Sequence, residues 1–544
     1  MRRRRRWSTP AILLGCLVLA GIIGVFLYLA TTTEQPGYGG TYTEGIAGSP
    51  IKLNPMLASF NDTDKDLTTL LFSGLTRLAA DGSILPDLAD SWEIDQVGRA
   101  YTFHLRKGVK WHDGRPVVAD DVVFTFRLVQ HDDIQANPEL TALWKRLQIE
   151  KKDDESVRIT LEEPFAPFLS YTTLGILPSH LLKDTDPKDL ANADFNAKPV
   201  GTGPFRLKEA TIDQVTLEAN PDSYRGKPFL DGITFKFLRD DQALAAALST
   251  KQVQGGLLRP SVGADAIASV QANSDLTVRT LPRASYSVLF LNTRMPLFQD
   301  KTVRQAVAYS IDRQGLLNDV MGGLGTIADS PLVPDSWAYD SNPTAYTYDP
   351  ERATKILEDG GWKLNSASVW EKDGRPLAFS LLTNDDKTRV ALGEALVRQL
   401  KKAHIRPEIA ASGITGLLQN FLLPRKYDTI LYGIDPGYDP DPYPLWHSSQ
   451  ASGEGLNVAA FSKPEIDSLL EKARTIMNPE ERKRLYAQFQ SAFAEEMPSI
   501  PLYHPLYLYA VDRKVKGMSL GVLYDTSSRF LNVNEWYIKT RRVW

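Results

Sequence analysis

Along most of the chain, short runs of β-branched and aromatic residues alternate with longer amphipathic stretches. Residues 101–105 alternate apolar and polar side chains, which is the period of a half-buried strand. Residues 287–292 are almost continuously apolar, as expected of a strand that is buried on both faces. Residues 387–402 repeat apolar positions at helical spacing. Together these patterns predict an α/β fold with a mixed sheet in more than one lobe.

One run departs from this alternation. Residues 11–30 contain no charged side chain across 20 positions and follow five arginines at residues 2–6. A helix of that length, rising about 1.5 Å per residue, spans a hydrocarbon core of roughly 30 Å. Arginines that precede such a segment stay in the cytoplasm. The pattern therefore predicts a basic cytoplasmic segment at 1–10, one transmembrane helix at 11–30, a tether at 31–40 and an extracytoplasmic remainder.

Two other interpretations of this segment stay open. A cleaved signal peptide needs a shorter apolar run and small residues before the cut, whereas the end of this run, Tyr28-Leu29-Ala30, has a large residue two positions before its last. A lipoprotein signal would place the lipid on Cys16, but the apolar run continues well past that position. An uncleaved anchor agrees best with the length of the run, and Cys16 is then a small apolar residue inside the helix.

Length and composition limit the classes of protein. The chain has 544 residues, more than one hydrophobic core usually serves, so we expect two or three lobes. The formal net charge of −4 gives no support for a nucleic-acid partner. The single cysteine excludes an internal disulfide and a cysteine-based zinc site. The seven histidines show no pair at the spacing of a helical metalloprotease site. We expect no metal and no cofactor.

Several stretches match the motifs of one known family in the same order. Along the chain they are PDLADSW at 86–92, YTFHLRKGVKWHDG at 101–114, PVGTGPF at 199–205, LNTRMPLFQDKTVRQAVAYSIDR at 291–313, YDPERATKILEDGGW at 348–362 and PSIPLYHP at 498–505. The sequence therefore resembles the bacterial extracellular solute-binding proteins of the peptide/nickel type, which serve oligopeptide and dipeptide permeases. The resemblance extends from about residue 39 to residue 509.

This resemblance implies a two-lobed periplasmic-binding-protein fold with an extra subdomain in the first lobe, here preceded by one transmembrane helix. Two chain crossings, near residues 283–289 and 498–508, would join the lobes, which close around a ligand in the cleft between them. The implied boundaries are residues 41–60, 196–284 and 505–544 for lobe I, 61–195 for the extra subdomain and 285–504 for lobe II.

The resemblance also implies a role in transport. The chain is expected to be the extracytoplasmic solute-binding component of an ABC transporter, which captures peptides or peptide-like solutes and passes them to permease and ATPase subunits. We expect a monomer that is held at the cell membrane by its N-terminal helix and faces the periplasm or the cell exterior. A receptor for a metal chelate or an oligosaccharide, and a sensor linked to signalling, stay open as alternatives.

Residues 433–449, GIDPGYDPDPYPLWHSS, carry the clearest binding chemistry. They follow a predicted strand at 427–432, and ligands of open α/β sheets bind beyond the carboxyl ends of strands. The carboxylates could anchor a cationic group by charge-assisted hydrogen bonds, and the aromatic rings could form amphipathic walls. The candidate ligand contacts of this loop are Asp435, Tyr438, Asp439, Asp441 and Trp446. The competing interpretation is that the prolines and aspartates only shape an exposed loop.

The loop departs from the pattern of its peptide-binding relatives. In those relatives an aspartate three residues before an Asp-Pro pair binds the α-amine of the ligand. Counting back from the pair that begins at Asp441 gives Tyr438, and counting back from the pair that begins at Asp439 gives Pro436. The departure leaves Asp435 or Asp439 as a shifted anchor, or indicates a different ligand.

Two further hypotheses concern the first crossing and a different class of protein. Ser285 and Tyr286 lie where that crossing enters lobe II, so they either face the cleft or pack the hinge. An enzyme would have to use Asp439, Asp441 and His447 as metal ligands. No nucleophile elbow, phosphate-binding loop or zinc-protease motif occurs. We therefore interpret the chain as a binding protein and not as an enzyme.

Overall fold

The described residues of the computed structural model are 13–14, 16–20, 22, 31–134, 138–341 and 346–543. The predicted basic segment at 1–10 lies outside them, as does most of the predicted membrane segment at 11–30. The described part of that segment is helical and exposed. Within the described ranges, no helix is both long enough and apolar enough to cross a membrane.

The strands are numbered in chain order. They are β1 (Thr33–Gly37), β2 (Thr41–Ala47), β3 (Thr76–Leu78), β4 (Ile84–Pro86), β5 (Ala89–Ile94), β6 (Ala100–Leu105), β7 (Gln148–Asp153), β8 (Ser156–Thr160), β9 (Phe205–Ala210), β10 (Gln214–Ala219), β11 (Gly232–Leu238), β12 (Gly255–Leu258), β13 (Leu276–Pro282), β14 (Tyr286–Leu291), β15 (Gly325–Ile327), β16 (Lys363–Leu364), β17 (Trp370–Lys372), β18 (Arg375–Pro376), β19 (Ala378–Asn384), β20 (Arg406–Ser412), β21 (Thr429–Ile434), β22 (Ser499–Asp512) and β23 (Lys539–Val543).

The α-helices are numbered in the same way. They are α1 (Asp62–Leu71), α2 (Ala119–Val129), α3 (Pro138–Trp144), α4 (Ser179–Leu182), α5 (Asp241–Ser249), α6 (Ala264–Gln271), α7 (Pro296–Gln299), α8 (Lys301–Tyr309), α9 (Arg313–Met321), α10 (Pro350–Asp359), α11 (Lys387–Lys402), α12 (Ile414–Leu417), α13 (Tyr443–Trp446), α14 (Pro464–Thr475) and α15 (Pro479–Glu496).

The predicted tether at 31–40 contains the first of these strands. β1 pairs antiparallel with β23, from Thr33 opposite Val543 to Gly37 opposite Lys539. Because its partner lies at the other end of the chain, this pairing leaves no local signature in a segment rich in Thr, Gly and Pro.

One mixed sheet extends through both lobes. Its strands follow the order β20-β19-β21-β14-β22-β12-β2-β11-β10-β9, and β13 and β15 also pair with β22. The 14-residue strand β22 is shared, since its first half pairs with β14 and β15 and its second half with β12 and β13. β13 continues into β14 through residues 283–285. The two halves of the sheet are thus connected by adjacent segments of the chain, at residues 283–285 and within β22.

Burial along the strands follows the hydrophobic pattern. All six residues of β14 are buried, as its continuous apolar run predicts. β6 belongs to a smaller four-stranded sheet of order β5-β6-β8-β7, and its aromatic residues face inward. Behind this sheet the rings of Phe126 and Trp144 stack with centroids 3.8 Å apart. Such large aromatic surfaces give the smaller sheet a core of its own.

His112 connects two of the motif stretches. Its Nδ1 accepts a hydrogen bond from the backbone N–H of Gly201 at 3.1 Å, and its Nε2 donates to the carbonyl oxygen of Gly203 at 3.1 Å. These two bonds require the neutral imidazole with its proton on Nε2. Burial away from water lowers the pKa of His112 from 6.5 to about 4. The histidine thus fixes the segment that leads into β9.

We expect His112 to make stability depend on pH. The folded chain holds the neutral form, whereas the unfolded chain protonates His112 near pH 6.5. The contribution of neutral His112 to the free energy of unfolding is complete above pH 6.5 and is lost as the pH falls towards about 4. The whole loss amounts to roughly 3 kcal/mol. His112→Asn keeps an acceptor for Gly201 but does not titrate, so the free energy of unfolding, measured with denaturant, should vary less over this range. The exposed His131→Asn is the control, and an unchanged pH profile in His112→Asn would contradict the assignment.

Candidate functional site

Two adjoining cavities of about 530 and 630 Å3 lie between the lobes. The first chamber is lined by α1, by residues 170–175 and 524–533, and by residues 435–445. The second chamber is lined by residues of both lobes around the start of β14. Arg283 and Asp435 line both chambers, so these two residues mark the junction between them.

The strand topology explains why the chambers lie here. β2 runs parallel to β11 and β12, and β19 runs parallel to β20 and β21. The carboxyl ends of parallel strands meet at one edge of a sheet, which is where ligands of α/β proteins bind. In lobe I this edge leads to Asp241 and Arg259. In lobe II it leads to Arg389 and to residues 435–442, which we call the acidic loop.

Asp435 is the aspartate of the acidic loop that faces the junction. Its Oδ2 accepts a hydrogen bond from Nη2 of Arg283 at 2.9 Å, and its side chain is 61% exposed, whereas that of Arg283 is 7% exposed. Arg283 also donates from Nη1 to the carbonyl oxygens of Leu523 (3.0 Å) and Tyr524. The guanidinium therefore joins the first crossing, the end of lobe I and the acidic loop of lobe II.

Charged side chains of both signs surround the junction. Partial removal from water raises the pKa of Asp435. The positive charges of Arg283 and Lys65 act to lower this pKa, whereas the negative charges of Asp62 and Asp525 raise it further. Three carboxylates and two cations therefore lie close enough to influence one another. Nζ of Lys65 lies 3.4 Å from Oδ1 of Asp62. Among these groups Asp435 is paired with Arg283 and Asp62 with Lys65. The exposed carboxylate of Asp435 has the chemistry to bind a cation, such as an ammonium group.

Tyr438 joins the two lobes directly. Its hydroxyl donates to Oδ2 of Asp525 at 2.7 Å, and its ring meets that of Tyr524 edge to face. The other oxygen of Asp525 accepts bonds from Ser527 and Ser528, so this carboxylate also caps the turn that begins at residue 526. These bonds and the nearby cations lower the pKa of Asp525, against the opposing effect of burial. Tyr438 therefore hydrogen-bonds to an ionised group of lobe I.

Asp439 pairs with an arginine of its own lobe. Its carboxylate binds both terminal nitrogens of Arg482, at 2.8 and 3.1 Å, and the two side chains are 14% and 7% exposed. Arg482 also donates to the hydroxyl of Tyr486 and stacks on Trp337. Although Asp439 lines the first chamber, its charge is neutralised, so it holds the loop against α15.

Asp441 has the same kind of role. Its Oδ2 accepts a bond from Nε of Arg474 at 2.7 Å, and its Oδ1 accepts one from the backbone N–H of Tyr443 at 3.1 Å. The Arg474 guanidinium lies 3.9 Å from the centre of the Tyr443 ring and 5.1 Å from that of Phe165, which belongs to the predicted extra subdomain. Asp441 thus orients an arginine that contacts the other side of the cleft.

The remaining candidates lie deeper. Trp446 is 1% exposed and packs between Phe290 and Phe493 in the core of lobe II, away from both chambers. Ser285 and Tyr286 both line the second chamber, but Tyr286 is 1% exposed and belongs to the same core. Asp435, Tyr438 and Ser285 are therefore brought to accessible positions, whereas Trp446 is not.

The charged residues of the cleft that were not among the sequence candidates include Arg283, Arg389 and Asp525. Arg389 follows the carboxyl end of β19, so the strand-end rule that indicates the acidic loop could also have found it. Arg283 begins the predicted first crossing, but its pairing with Asp435 leaves no local signal. Asp525 lies in a C-terminal segment without a motif. Among the described residues, no group of three or more His, Cys, Asp or Glu side chains could hold a metal ion.

The chain is similar in sequence to known binding proteins. Residues 83–455 match the bacterial extracellular solute-binding proteins, family 5 Middle. The oligopeptide-binding protein AppA of Bacillus subtilis is 31% identical over 514 residues, which are 93% of this chain and 92% of AppA. The dipeptide-binding protein of Escherichia coli is 27% identical over 503 residues, which are 86% of this chain and 90% of that protein.

Solved structures show the same architecture. AppA in complex with a nonapeptide superposes with a TM-score of 0.75 at 30% identity, covering 93% of this chain and 100% of AppA. NikZ from Campylobacter jejuni in complex with Ni(L-His) gives a TM-score of 0.75 at 28% identity, covering 91% of this chain and 99% of NikZ. The predicted two-lobed periplasmic-binding-protein fold is thereby confirmed.

We expect Asp439 to be required for stability. Asp439→Asn would leave the buried charge of Arg482 without its carboxylate, and breaking a buried ion pair in this way costs roughly 3–5 kcal/mol. Denaturant unfolding should therefore show a lower free energy of unfolding. Asp222→Asn makes the same change at an exposed turn and should leave stability unchanged. Equal stabilities of the two variants would contradict a structural role for the pair.

We expect the hydroxyl of Tyr438 to favour the closed arrangement of the lobes. A hydrogen bond to a charged group contributes roughly 1.5–3 kcal/mol, so Tyr438→Phe should shift the equilibrium towards an open form by about tenfold or more. Small-angle X-ray scattering would detect this as a larger radius of gyration. Tyr432→Phe is the matched control, because the Tyr432 hydroxyl makes no hydrogen bond among the described residues. A radius unchanged by Tyr438→Phe would exclude this role.

Proposed function

Because this chain belongs to the bacterial extracellular solute-binding proteins of family 5 and acts as the solute-binding component of an ABC transporter, we propose that its ligand is a peptide or a peptide-like solute. The oligopeptide-binding and dipeptide-binding relatives support this choice. The observation that carries it is Asp435, a largely exposed carboxylate at the junction between the chambers.

Asp435 is the anchor of the ligand's ammonium group in this proposal. It is the aspartate of the acidic loop whose side chain is largely exposed, whereas Asp439 and Asp441 are enclosed in pairs with arginines of lobe II. Its Oδ2 is bonded to Arg283, which leaves Oδ1 available to accept a charge-assisted hydrogen bond. The anchor has thus shifted three residues from Tyr438.

Capture proceeds by lobe closure. A ligand that touches both lobes stabilises the closed arrangement in proportion to its greater affinity for that arrangement. Asp435 belongs to lobe II and Asp525 to lobe I, so a cation at the junction interacts with both walls. The closed protein then docks on permease subunits that work with ATPase subunits, and no catalytic step is required.

Several further properties belong to the same proposal. An uncleaved N-terminal helix at 11–30 would hold the protein at the membrane, with a monomeric binding domain outside the cytoplasm. The lobe boundaries are those given above, with residues 61–195 as the extra subdomain. The adjacent strands β13–β14 and β22 support the positions of the two crossings.

We expect free-amine peptides to bind and to depend on Asp435. Calorimetry of peptides of two to nine residues, each with a free or an N-acetylated amine, should show tighter binding of the free amine by roughly tenfold or more. Asp435→Asn should bind both forms equally. The preference for the free amine should also weaken at acidic pH, beginning at a higher pH than for an ordinary carboxyl group, because the pKa of Asp435 is raised.

The controls separate the parts of this proposal. Asp222→Asn should keep the preference for the free amine, because its exposed carboxylate lines neither chamber. Binding of Ni(L-His) or an oligosaccharide, with no binding of any peptide, would reject the peptide assignment. Peptide binding without any preference for a free amine would reject only Asp435 as the anchor.

A further inference from the structure

The two-stranded ribbon of β1 and β23 has one face that carries cations and no acid. Residues directly opposite each other in an antiparallel pair lie on the same face, so Arg541 shares a face with Gln35, and Lys539 shares it with Gly37. Both cations are exposed, and neither pairs with a carboxylate in the part of the chain that the structure describes. We call this surface the basic face.

The acid of the ribbon lies on the opposite face. Glu34 lies directly across from Arg542 and accepts a hydrogen bond from Oγ1 of Thr540 at 2.5 Å. Its carboxylate is therefore engaged away from the basic face. The chain as a whole has a formal net charge of −4, so two adjacent cations without an acid beside them depart locally from its overall balance.

The basic face is attached firmly to lobe I. Trp536, three residues before β23, is fully buried, and its ring meets that of Tyr42 of β2 edge to face at 5.5 Å. Tyr537 exchanges two backbone hydrogen bonds of 2.9 Å with Lys516. Because only residues 537 and 538 separate the buried tryptophan from Lys539, a contact made by the ribbon also fixes the orientation of lobe I.

The ribbon also lies close to the proposed membrane anchor. That anchor ends at residue 30 and β1 begins at Thr33, and three residues of extended chain span at most about 10 Å. Gln35, the partner of Arg541, follows two residues later, which adds about 7 Å at the rise of a strand. Attraction between exposed charges is screened over about 8 Å at physiological salt, so a ribbon that lies along the membrane has both cations within range of the lipid headgroups. The short tether keeps the local concentration of these headgroups high.

We propose that the basic face binds anionic phospholipid headgroups of the membrane and that this contact orients lobe I beside the bilayer. The inference rests on the proposed function, since it assumes that residues 11–30 are a membrane anchor. Guanidinium and ammonium groups donate charge-assisted hydrogen bonds to phosphate oxygens, and the attraction increases with each neighbouring cation. With lobe I held in this way, lobe II is the lobe that moves during closure.

The test uses the full chain in vesicles of neutral phosphatidylcholine, with or without phosphatidylglycerol. A small fluorophore on Gln35→Cys, in a Cys16→Ala background, reports its distance from a nitroxide quencher carried on the lipid headgroups. We expect quenching to be at least about twofold stronger with phosphatidylglycerol, because the anionic lipid draws the basic face to the surface. The difference should disappear in about 1 M salt, where charges are screened over only about 3 Å. Lys539→Gln combined with Arg541→Gln should reduce quenching to the level seen in the neutral vesicles.

The control variant removes two cations elsewhere. Lys401→Gln combined with Lys402→Gln changes two exposed lysines at the end of α11 and should keep the difference between the two lipids. Equal quenching in both kinds of vesicle, or a difference that the ribbon variant leaves unchanged, would overturn the proposal. The comparison of the two lipids decides the question even where the ribbon variant fails to fold. Release of the full chain from vesicles by alkaline carbonate would instead reject the membrane anchor, and this inference with it, while leaving the peptide assignment untouched.

Discussion

The lobe I wall of the cleft depends on one buried arginine, Arg529. Its guanidinium is 2% exposed and binds Glu44 through Nε at 2.8 Å and Asp66 through Nη2 at 2.6 Å. The hydroxyl of Tyr509 donates to Glu44 at 3.1 Å, so the network also reaches β22. Charges taken this far from water are tolerated only when they are paired and hydrogen-bonded. The network therefore fixes β2, α1, β22 and the C-terminal turn relative to one another.

This network also positions charged groups of the junction. Asp66 lies on α1 one turn after Asp62 and next to Lys65, and its Oδ1 also accepts a bond from Thr526 at 2.8 Å. Thr526 follows Asp525, the lobe I partner of Tyr438. Three of the five charged groups at the junction are thus held by elements that the buried arginine joins. The cleft can present charged groups at its centre because they stand on a rigid support whose buried charges are paired and hydrogen-bonded.

The sequence reveals the fold more fully than the site, for a physical reason. Hydrophobic period and turn chemistry act locally, so the buried strand β14 and the small sheet could be predicted from their own residues. Ion pairs join residues that are distant in the sequence. Asp439 pairs with Arg482 and Asp441 with Arg474, and both arginines lie on helices that follow the acidic loop in the sequence. The acidic loop could therefore be located by its place after a strand, but which aspartate faces the cleft depends on partners that no local pattern contains. Trp446 shows the same limit, since an aromatic residue in a polar loop can face the core as readily as a ligand.

The neighbouring charges explain why this chain has Tyr438 where its peptide-binding relatives have an acid. At this position a carboxylate would face Asp525 across the cleft, and two like charges at hydrogen-bond distance repel one another strongly. A tyrosine hydroxyl instead donates to Asp525 and draws the lobes together. The acidic loop instead has a carboxylate at Asp435, which borders both chambers and is partly neutralised by Arg283. In the proposed function the two tasks are therefore separate: Tyr438 supports closure, and Asp435 binds the charged group of the ligand.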